Sequence, residues 1–243
     1  MREGGPLRII RIVAFGYLLA AATVRSQAPS VPGGTAFWGA RSKYADATAN
    51  SSTIRTARNA LFDGFSGEAP LSESSPPQLM TYPLSHSHGQ LLPHSLTQAI
   101  ITGNVTHSAS YLSNDRTAIY SEFQVSVGSV VYNNSTAQLA TGTSVDVLRG
   151  GGVILMPSGK VLLRGCQQES LPGPRRSFLL LLAYSPRASA FTLTTGFELS
   201  GSHVYALDSI MAVNKRLTLQ DMGQAPAQFT QAVQNLFLAQ SAY

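Results

Sequence analysis

Residues 118–131 read AIYSEFQVSVGSVV, and their alternation constrains the fold more than any other stretch of the chain. In an extended backbone Ile119, Phe123, Val125 and Val127 share one face, and Tyr120, Glu122, Gln124 and Ser126 share the other; Ser121 is a polar break in the inward register. A period of two with one apolar face is the pattern of a sheet strand with a core on one side and water on the other. Residues 99–105 form a second apolar run, broken by Gly103. Between the two runs, residues 111–117 carry Ser113, Asn114 and Asp115, side chains that bond to their own backbone and favour turns, so a long hairpin is expected.

More short strands follow at turn-separated intervals. Val145 and Val147 share a face within residues 143–149. Gly150, Gly151 and Gly152 then interrupt, and residues 153–156 and 161–164 flank the turn Pro157, Ser158, Gly159. Residues 178–183 are continuously apolar and too short for an independent helix, which predicts a central strand buried on both faces. Residues 191–199 and 203–207 make a last hairpin about Ser200, Gly201 and Ser202. Seven or eight such strands without an intervening helical pattern predict an all-β domain over residues 96–208, a small barrel or a sandwich. In residues 226–242 the pattern changes: Phe229, Val233, Leu236 and Phe237 recur at helical spacing behind Pro226, an amphipathic helix expected to pack on the barrel. It belongs to a C-terminal extension, residues 209–243.

The N-terminus reads as an address. Arg2, Arg8 and Arg11 precede an uncharged run, residues 12–24, and the polar Arg25, Ser26 and Gln27 follow, the order of a secretory signal peptide occupying residues 1–26. Thirteen residues of helix rise only about 20 Å against a hydrocarbon core of roughly 30 Å, so a permanent span is the weaker reading and membrane contact is expected only through an uncleaved N-terminus. The same segment explains the charge. The chain has 17 Lys and Arg against 12 Asp and Glu, but residues 1–26 hold four Arg and one Glu, leaving a net +2 for the remainder. A uniformly basic, nucleic-acid-binding body is not expected. The single cysteine, Cys166, excludes an internal disulfide and Cys-clustered zinc sites.

Residues 27–95 are rich in Ser, Pro, Gly, Ala and Thr and are expected to be a mostly irregular extension. The exception is residues 51–65, where Ile54, Leu61, Phe62 and Phe65 recur near helical spacing after the possible N-caps Ser51 and Ser52. The expectation is a short helix docking by that apolar stripe.

The order of motifs from Gly103-Asn104-Val105-Thr106 through Tyr111-Leu112-Ser113-Asn114-Asp115-Arg116-Thr117, Tyr120-Ser121-Glu122-Phe123, Gly150-Gly151, Pro157-Ser158-Gly159 and Phe178-Leu179-Leu180-Leu181 to Thr195-Gly196-Phe197-Glu198-Leu199 resembles an uncharacterised family of secreted soil-bacterial proteins. The resemblance covers roughly residues 90–208 and implies a small β-barrel similar to the OB-like netrin-type module. It implies no activity. The disulfides of animal netrin-type domains and the N-terminal Cys of TIMP inhibitors have no counterpart here, so no inhibitory mechanism comes with it.

Candidate chemistry is sparse. Cys166, beside Arg164, is the one thiol a nucleophilic mechanism could use, but no cysteine-hydrolase signature surrounds it, and a small buried side chain is the expected role. His86, His88 and His94 have a spacing that places imidazoles on one side of an extended chain, within a Pro- and Ser-rich stretch without carboxylates. Gly152 and Gly159-Lys160 lack the spacing of a phosphate-binding loop, so the glycines are expected to serve a bulge or tight bend. Arg175 and Arg176, with Arg149 and Arg164, form either an anion-binding patch or charges guarding a sheet edge. Asn50, Asn104 and Asn134 begin formal glycosylation sequons. No catalytic, cofactor-binding or metal site is expected. The chain reads as an exported, non-enzymatic binding or structural module whose partner is an unknown protein or envelope component. The alternative is a secreted hydrolase assembling His203, Asp208 or Glu122 with a Ser or Cys166.

Overall fold

A computed structural model describes residues 41–49, 52–64, 70–74, 78–80, 96–166, 171–208 and 225–241. The signal-like segment and His86, His88 and His94 lie outside the described residues. Strands β3 (Ala99–Leu112) and β4 (Ile119–Asn133) form the long antiparallel hairpin, joined register by register from Leu112 opposite Ile119 to Ala99 opposite Asn133. The first strand runs seven residues beyond the apolar stretch ending at Val105. Residues 106–110 still pair with β4, Thr106 and His107 exposed and Ser110 buried, and register shifts absorb the break in alternation. The turn is correspondingly short. Ser113 N–H donates to the Ala118 carbonyl at 3.0 Å, and Arg116 holds a left-handed φ of 59°.

β5 (Ser144–Gly150) adds antiparallel to β4, and β8 (Ser177–Ser185) adds antiparallel to β3. β9 (Ala190–Ser200) pairs antiparallel with β8 and, through Val147 with Phe191 and Leu148 with Thr192, parallel with β5. The circuit β3-β4-β5-β9-β8-β3 is therefore closed. Its third and fourth strands, β5 and β8, are joined through the fifth, β9, which runs parallel to the third, and this is the Greek-key order of a five-stranded OB-type barrel. β10 (His203–Ala206) extends β9 as a further antiparallel strand.

Burial explains the run at 178–182. Phe178, Leu180 and Leu182 fill the barrel with Ile101, Phe123, Val125 and Val147. Leu179 and Leu181 face the opposite way, against Phe229, Val233 and Phe237 of the C-terminal helix, with Phe197 and Val204 completing the second cluster. An isolated helix of this length is marginal in water, and burying each of these side chains contributes roughly 1.5–3 kcal/mol, so packing on the sheet stabilises the helix. Edge-to-face contacts of Phe229 with Phe197 at 4.9 Å and Phe237 with Tyr132 at 4.7 Å set its position.

Between β5 and β8 the chain makes the hairpin β6 (Gly152–Leu155) and β7 (Val161–Cys166) about Pro157-Ser158-Gly159. This hairpin does not join the barrel. It is flanked by two strands from the extension read as irregular: β1 (Arg41–Lys43) parallel to β6, and β2 (Gln78–Met80) parallel to β7. Three-residue strands carry too little pattern to be read, and they form because the hairpin offers two free edges. The first helix, α1 (Tyr44–Ala47), follows β1 directly and buries Ala47 with Leu112, Ile119, Ile154 and Leu162, joining the small sheet to the end of the long hairpin.

The polar break at Ser121 has its reason here. Ser121 Oγ donates to the Gly151 carbonyl at 2.7 Å and lies 3.2 Å from Ser110 Oγ, which accepts from Val153 N–H at 3.3 Å. Gly151 adopts a φ of 102°, turning the chain from β5 into β6 as the tight-bend reading of the glycines requires. A Cβ on Gly152 would overlap Ser110 Oγ and lie 2.9 Å from Ser121 Oγ. Gly152→Ala is therefore expected to lower the stability by about 1–3 kcal/mol in urea unfolding. Gly159→Ala adds its carbon in open space but at a left-handed φ of 83°, which costs a non-glycine residue about 1 kcal/mol; a loss at Gly152 smaller than that at Gly159 would contradict the steric account.

Candidate functional site

The outward side chains of β3, β4 and β5 form rows set by the strand register. From one end these are Tyr111 and Tyr120 with Gly150; Ala109 and Glu122 with Leu148; His107 and Gln124 with Asp146; and Asn104 and Ser126 with Ser144. The sheet face divides at the middle of this grid into a covered, charged and aromatic zone and an open zone of polar hydrogen-bonding groups.

The cover is helix α2 (Thr53–Ala60). Ser52 caps it, its hydroxyl accepting from Arg55 N–H at 3.1 Å. Arg55, Arg58 and Asn59 stand at i, i+3 and i+4, and hence on one face, and that polar face is the one that docks. Arg58 and Asn59 are buried, whereas Ile54 and Leu61 are 48% and 43% exposed. The expectation of docking by an apolar stripe is thus corrected. Phe62 alone keeps its expected place, stacked on Tyr120 at 4.4 Å between ring centroids; Phe65 lies outside the described residues. The sheet beneath presents two carboxylates, and paired guanidinium groups match them better than aliphatic side chains would.

Arg55 donates from Nη1 to Glu122 Oε2 at 2.7 Å and from Nη2 to Oε1 at 3.3 Å, and from Nη1 to Tyr120 Oη at 2.9 Å. Its guanidinium carbon lies 3.5 Å from the centroid of the Tyr111 ring. Arg58 bridges the second carboxylate as well, reaching Glu122 Oε1 and Asp146 Oδ2 at 2.7 Å each, while its Nε donates to the Ala188 carbonyl at 3.0 Å. Tyr120 Oη in turn donates to Asn59 Oδ1 at 2.7 Å. Burial works against the charges of Arg55 and Arg58, but hydrogen bonds and the negative charge of Glu122, with Asp146 at Arg58, outweigh it and hold both guanidinium groups above their ordinary pKa. Burial raises Tyr111 and pushes Tyr120 up to about 12, with Arg55 opposing in both cases.

The loop after α2 is tied to the β3–β4 turn. Asp63 accepts from Asn114 Nδ2 and from Asp115 N–H, both at 3.2 Å, and Gly64 N–H donates to Asp115 Oδ2 at 2.7 Å. Burial opposes the Asp115 charge. The hydrogen bonds from Gly64, Thr117 and Ser113 win and keep its carboxyl well below the usual carboxylate range.

The open zone begins at the next rows. Asn104, Thr106, His107, Gln124 and Ser144 are exposed and Ser126 is half-buried. Thr106 Oγ1 donates to the Gln124 carbonyl at 3.1 Å, and Ser177 Oγ donates to Asn104 Oδ1 at 2.6 Å. The surface is a field of amide and hydroxyl groups, with the His107 imidazole among them, on a sheet.

The other sequence candidates are dispersed. Cys166 ends β7, its backbone paired with Met80. Arg176 forms an ion pair with Glu198 at 2.6 Å, and the backbone of Arg175 and Arg176 bonds to that of Val105 just before β8 begins. Arg149 pairs with Asp208, whose other oxygen accepts from Thr195 Oγ1 at 2.6 Å. The Arg175, Arg176 and Arg149 charges of the supposed anion patch are thus divided, with Arg176 and Arg149 on separate carboxylates and Arg164 buried in β7. Of the hydrolase set, Glu122 lies under α2, Asp208 is held by Arg149 and Thr195, and His203 is exposed at the β9–β10 turn with Ser202 Oγ 3.0 Å from its Nδ1. Among the described residues no group of three or more His, Cys, Asp and Glu is placed to hold a metal ion. Sequence reasoning missed Arg55, Arg58 and Asn59; their i, i+3, i+4 spacing was the available signal.

The fold and this face define an OB-type barrel with a partly covered outer sheet. No protein-family model matches the chain, and no curated protein is significantly similar to it.

Tyr120 keeps its proton to about 12 in the folded chain, against 10.0 for an unperturbed tyrosine. Its contribution to stability is therefore complete below pH 10 and is lost as the pH rises through 12. Ultraviolet titration of the native protein against Tyr120→Phe should show one late-ionising tyrosine missing from the variant; an unchanged late phase would contradict this assignment. In unfolding experiments, a double-mutant cycle of Arg58→Ala with Glu122→Ala should give a coupling of about 1–3 kcal/mol, because the pair is largely removed from water. A coupling near zero would mean that water replaces the pair without loss.

Proposed function

We propose that this chain is an exported, non-enzymatic binding module that engages its partner on the outer face of β3, β4 and β5. The observation that carries the reading is the open zone: Asn104, Thr106, His107, Gln124, Ser126 and Ser144 arrayed on the sheet face with which OB-type barrels bind oligonucleotides and oligosaccharides. Fold analogy supplies the location, and the residues supply the chemistry. Amide and hydroxyl groups offer donors and acceptors without net charge. Of the cations beside them, Arg55, Arg58 and Arg176 are paired with carboxylates, and Arg175 is exposed. A neutral, polyhydroxylated ligand such as an oligosaccharide of a cell envelope suits this surface better than a polyanion, whose binding depends on neutralising phosphates. Export rests on the basic, apolar, polar order of residues 1–26, and membership of the secreted soil-bacterial family is part of the same proposal.

The test is titration of the protein with neutral hexasaccharides (cello-, malto- and chitohexaose), with single-stranded DNA as the polyanion control. At least one hexasaccharide should bind, DNA should not compete, and Asn104→Ala/Gln124→Ala should weaken binding about tenfold through the lost hydrogen bonds. Preference for DNA, or binding indifferent to the double substitution, would overturn the proposal.

A further inference from the structure

We propose that α2 is an autoinhibitory strap, a segment of this chain that occupies half of the sheet face and must move aside before the whole face can engage a ligand. The inference rests on the reading of that face as the binding surface and adds its regulation.

The two helices that pack on the outside of the barrel are held in opposite ways. The C-terminal helix buries Phe229, Val233 and Phe237 completely or nearly so, a contact that water cannot replace. α2 docks through Arg55, Arg58 and Asn59 and turns Ile54 and Leu61 outward. Apart from the Phe62 ring stacked on Tyr120 just after the helix, these contacts are made by guanidinium groups, carboxylates and an amide, which water can satisfy once they separate, so the net gain from docking is a small difference between large terms. Eight residues are also too few for a helix to be stable alone, so undocking is coupled to loss of the helix itself. Local opening of α2 therefore leaves the barrel core intact, whereas opening of the C-terminal helix does not.

What α2 covers is chemically the better half of a sugar site. Tyr111 and Tyr120 provide aromatic faces, and Glu122 and Asp146 provide paired acceptors for hydroxyl groups, in rows continuous with Gln124 and Ser126. The occupants stand in for such a ligand: Phe62 stacks on Tyr120, the Arg55 guanidinium lies over the Tyr111 ring, and donors from Arg55 and Arg58 fill the carboxylate oxygens. β1 and β2 anchor the chain on either side of α2, so the strap swings without leaving the molecule.

The test compares the full-length chain with two variants that leave the sheet face unchanged, Arg55→Ala/Arg58→Ala and Ala57→Pro, by amide hydrogen exchange and by titration with cello-, malto- and chitohexaose. Exchange in α2 should accelerate at least about tenfold in both variants while protection in β3, β4 and β5 is retained, and affinity for the tightest-binding hexasaccharide should rise about fivefold or more as the competing contacts vanish. If protection in β4 and β5 falls together with α2, or the variants fail to fold, α2 belongs to the cooperative core and the strap is overturned. An opened α2 with an affinity equal to that of the unmodified chain also overturns it. Absence of binding to any hexasaccharide of the panel in all three proteins instead removes the binding-face reading, and the autoinhibitory role falls with it, whatever the exchange shows.

Discussion

Burial of both faces of β8 is the constraint on which the architecture depends. Phe178, Leu180 and Leu182 have to meet the interior of a closed barrel, so β8 sits between β3 and β9 and closes the ring. Leu179 and Leu181 then face outward, and a strand with leucines on that side is stable only when something apolar covers it. The C-terminal helix provides that cover. Closure also decides what remains available elsewhere: with the edges of β3, β5, β8 and β9 largely used, the outer face of β3, β4 and β5 is left, among the described residues, partly open and partly under α2.

Two coverings built on different physics give the molecule two kinds of surface. Where the sheet is leucine-rich, an apolar helix seals it. Where it carries Tyr120, Glu122 and Asp146, a helix with arginines one turn apart neutralises it. Buried ion pairs add little net stability compared with hydrophobic packing of the same volume, but they place a segment specifically, because the fork of each guanidinium accepts few arrangements of its carboxylates. The hydrogen bonds of Asp63, Gly64, Asn114 and Asp115 extend the same principle to the loop after the helix, fixing it on the β3–β4 turn.

Much of the barrel was legible in the chain because its signals are local. Alternation over 118–131, the apolar run at 178–183, the glycines at 150–152 and the i, i+4, i+7, i+8 stripe around Phe229 each report a nearby burial requirement. The illegible parts depended on partners distant in sequence. β1 and β2 are three residues long, and nothing in their composition reveals that β6 and β7 leave two edges for them. The docking face of α2 was misread because Ile54 and Leu61 form the stronger apolar pattern, while the carboxylates that attract Arg55 and Arg58 lie more than sixty residues further on, in β4 and β5. Tyr120, outward by alternation, is buried for the same reason.

The amino-acid order alone determined that this chain makes a closed or doubly layered β domain followed by an amphipathic helix, because hydrophobic periodicity expresses which side chains must leave water whatever the partner. Only the tertiary structure decided that the barrel closes through a parallel pair of β5 with β9, and that a charged helix lies over one half of the β3–β4–β5 face and leaves the other half open. Ion pairing and strand addition select among partners brought together by the fold, and that choice is not written in the period of any single segment.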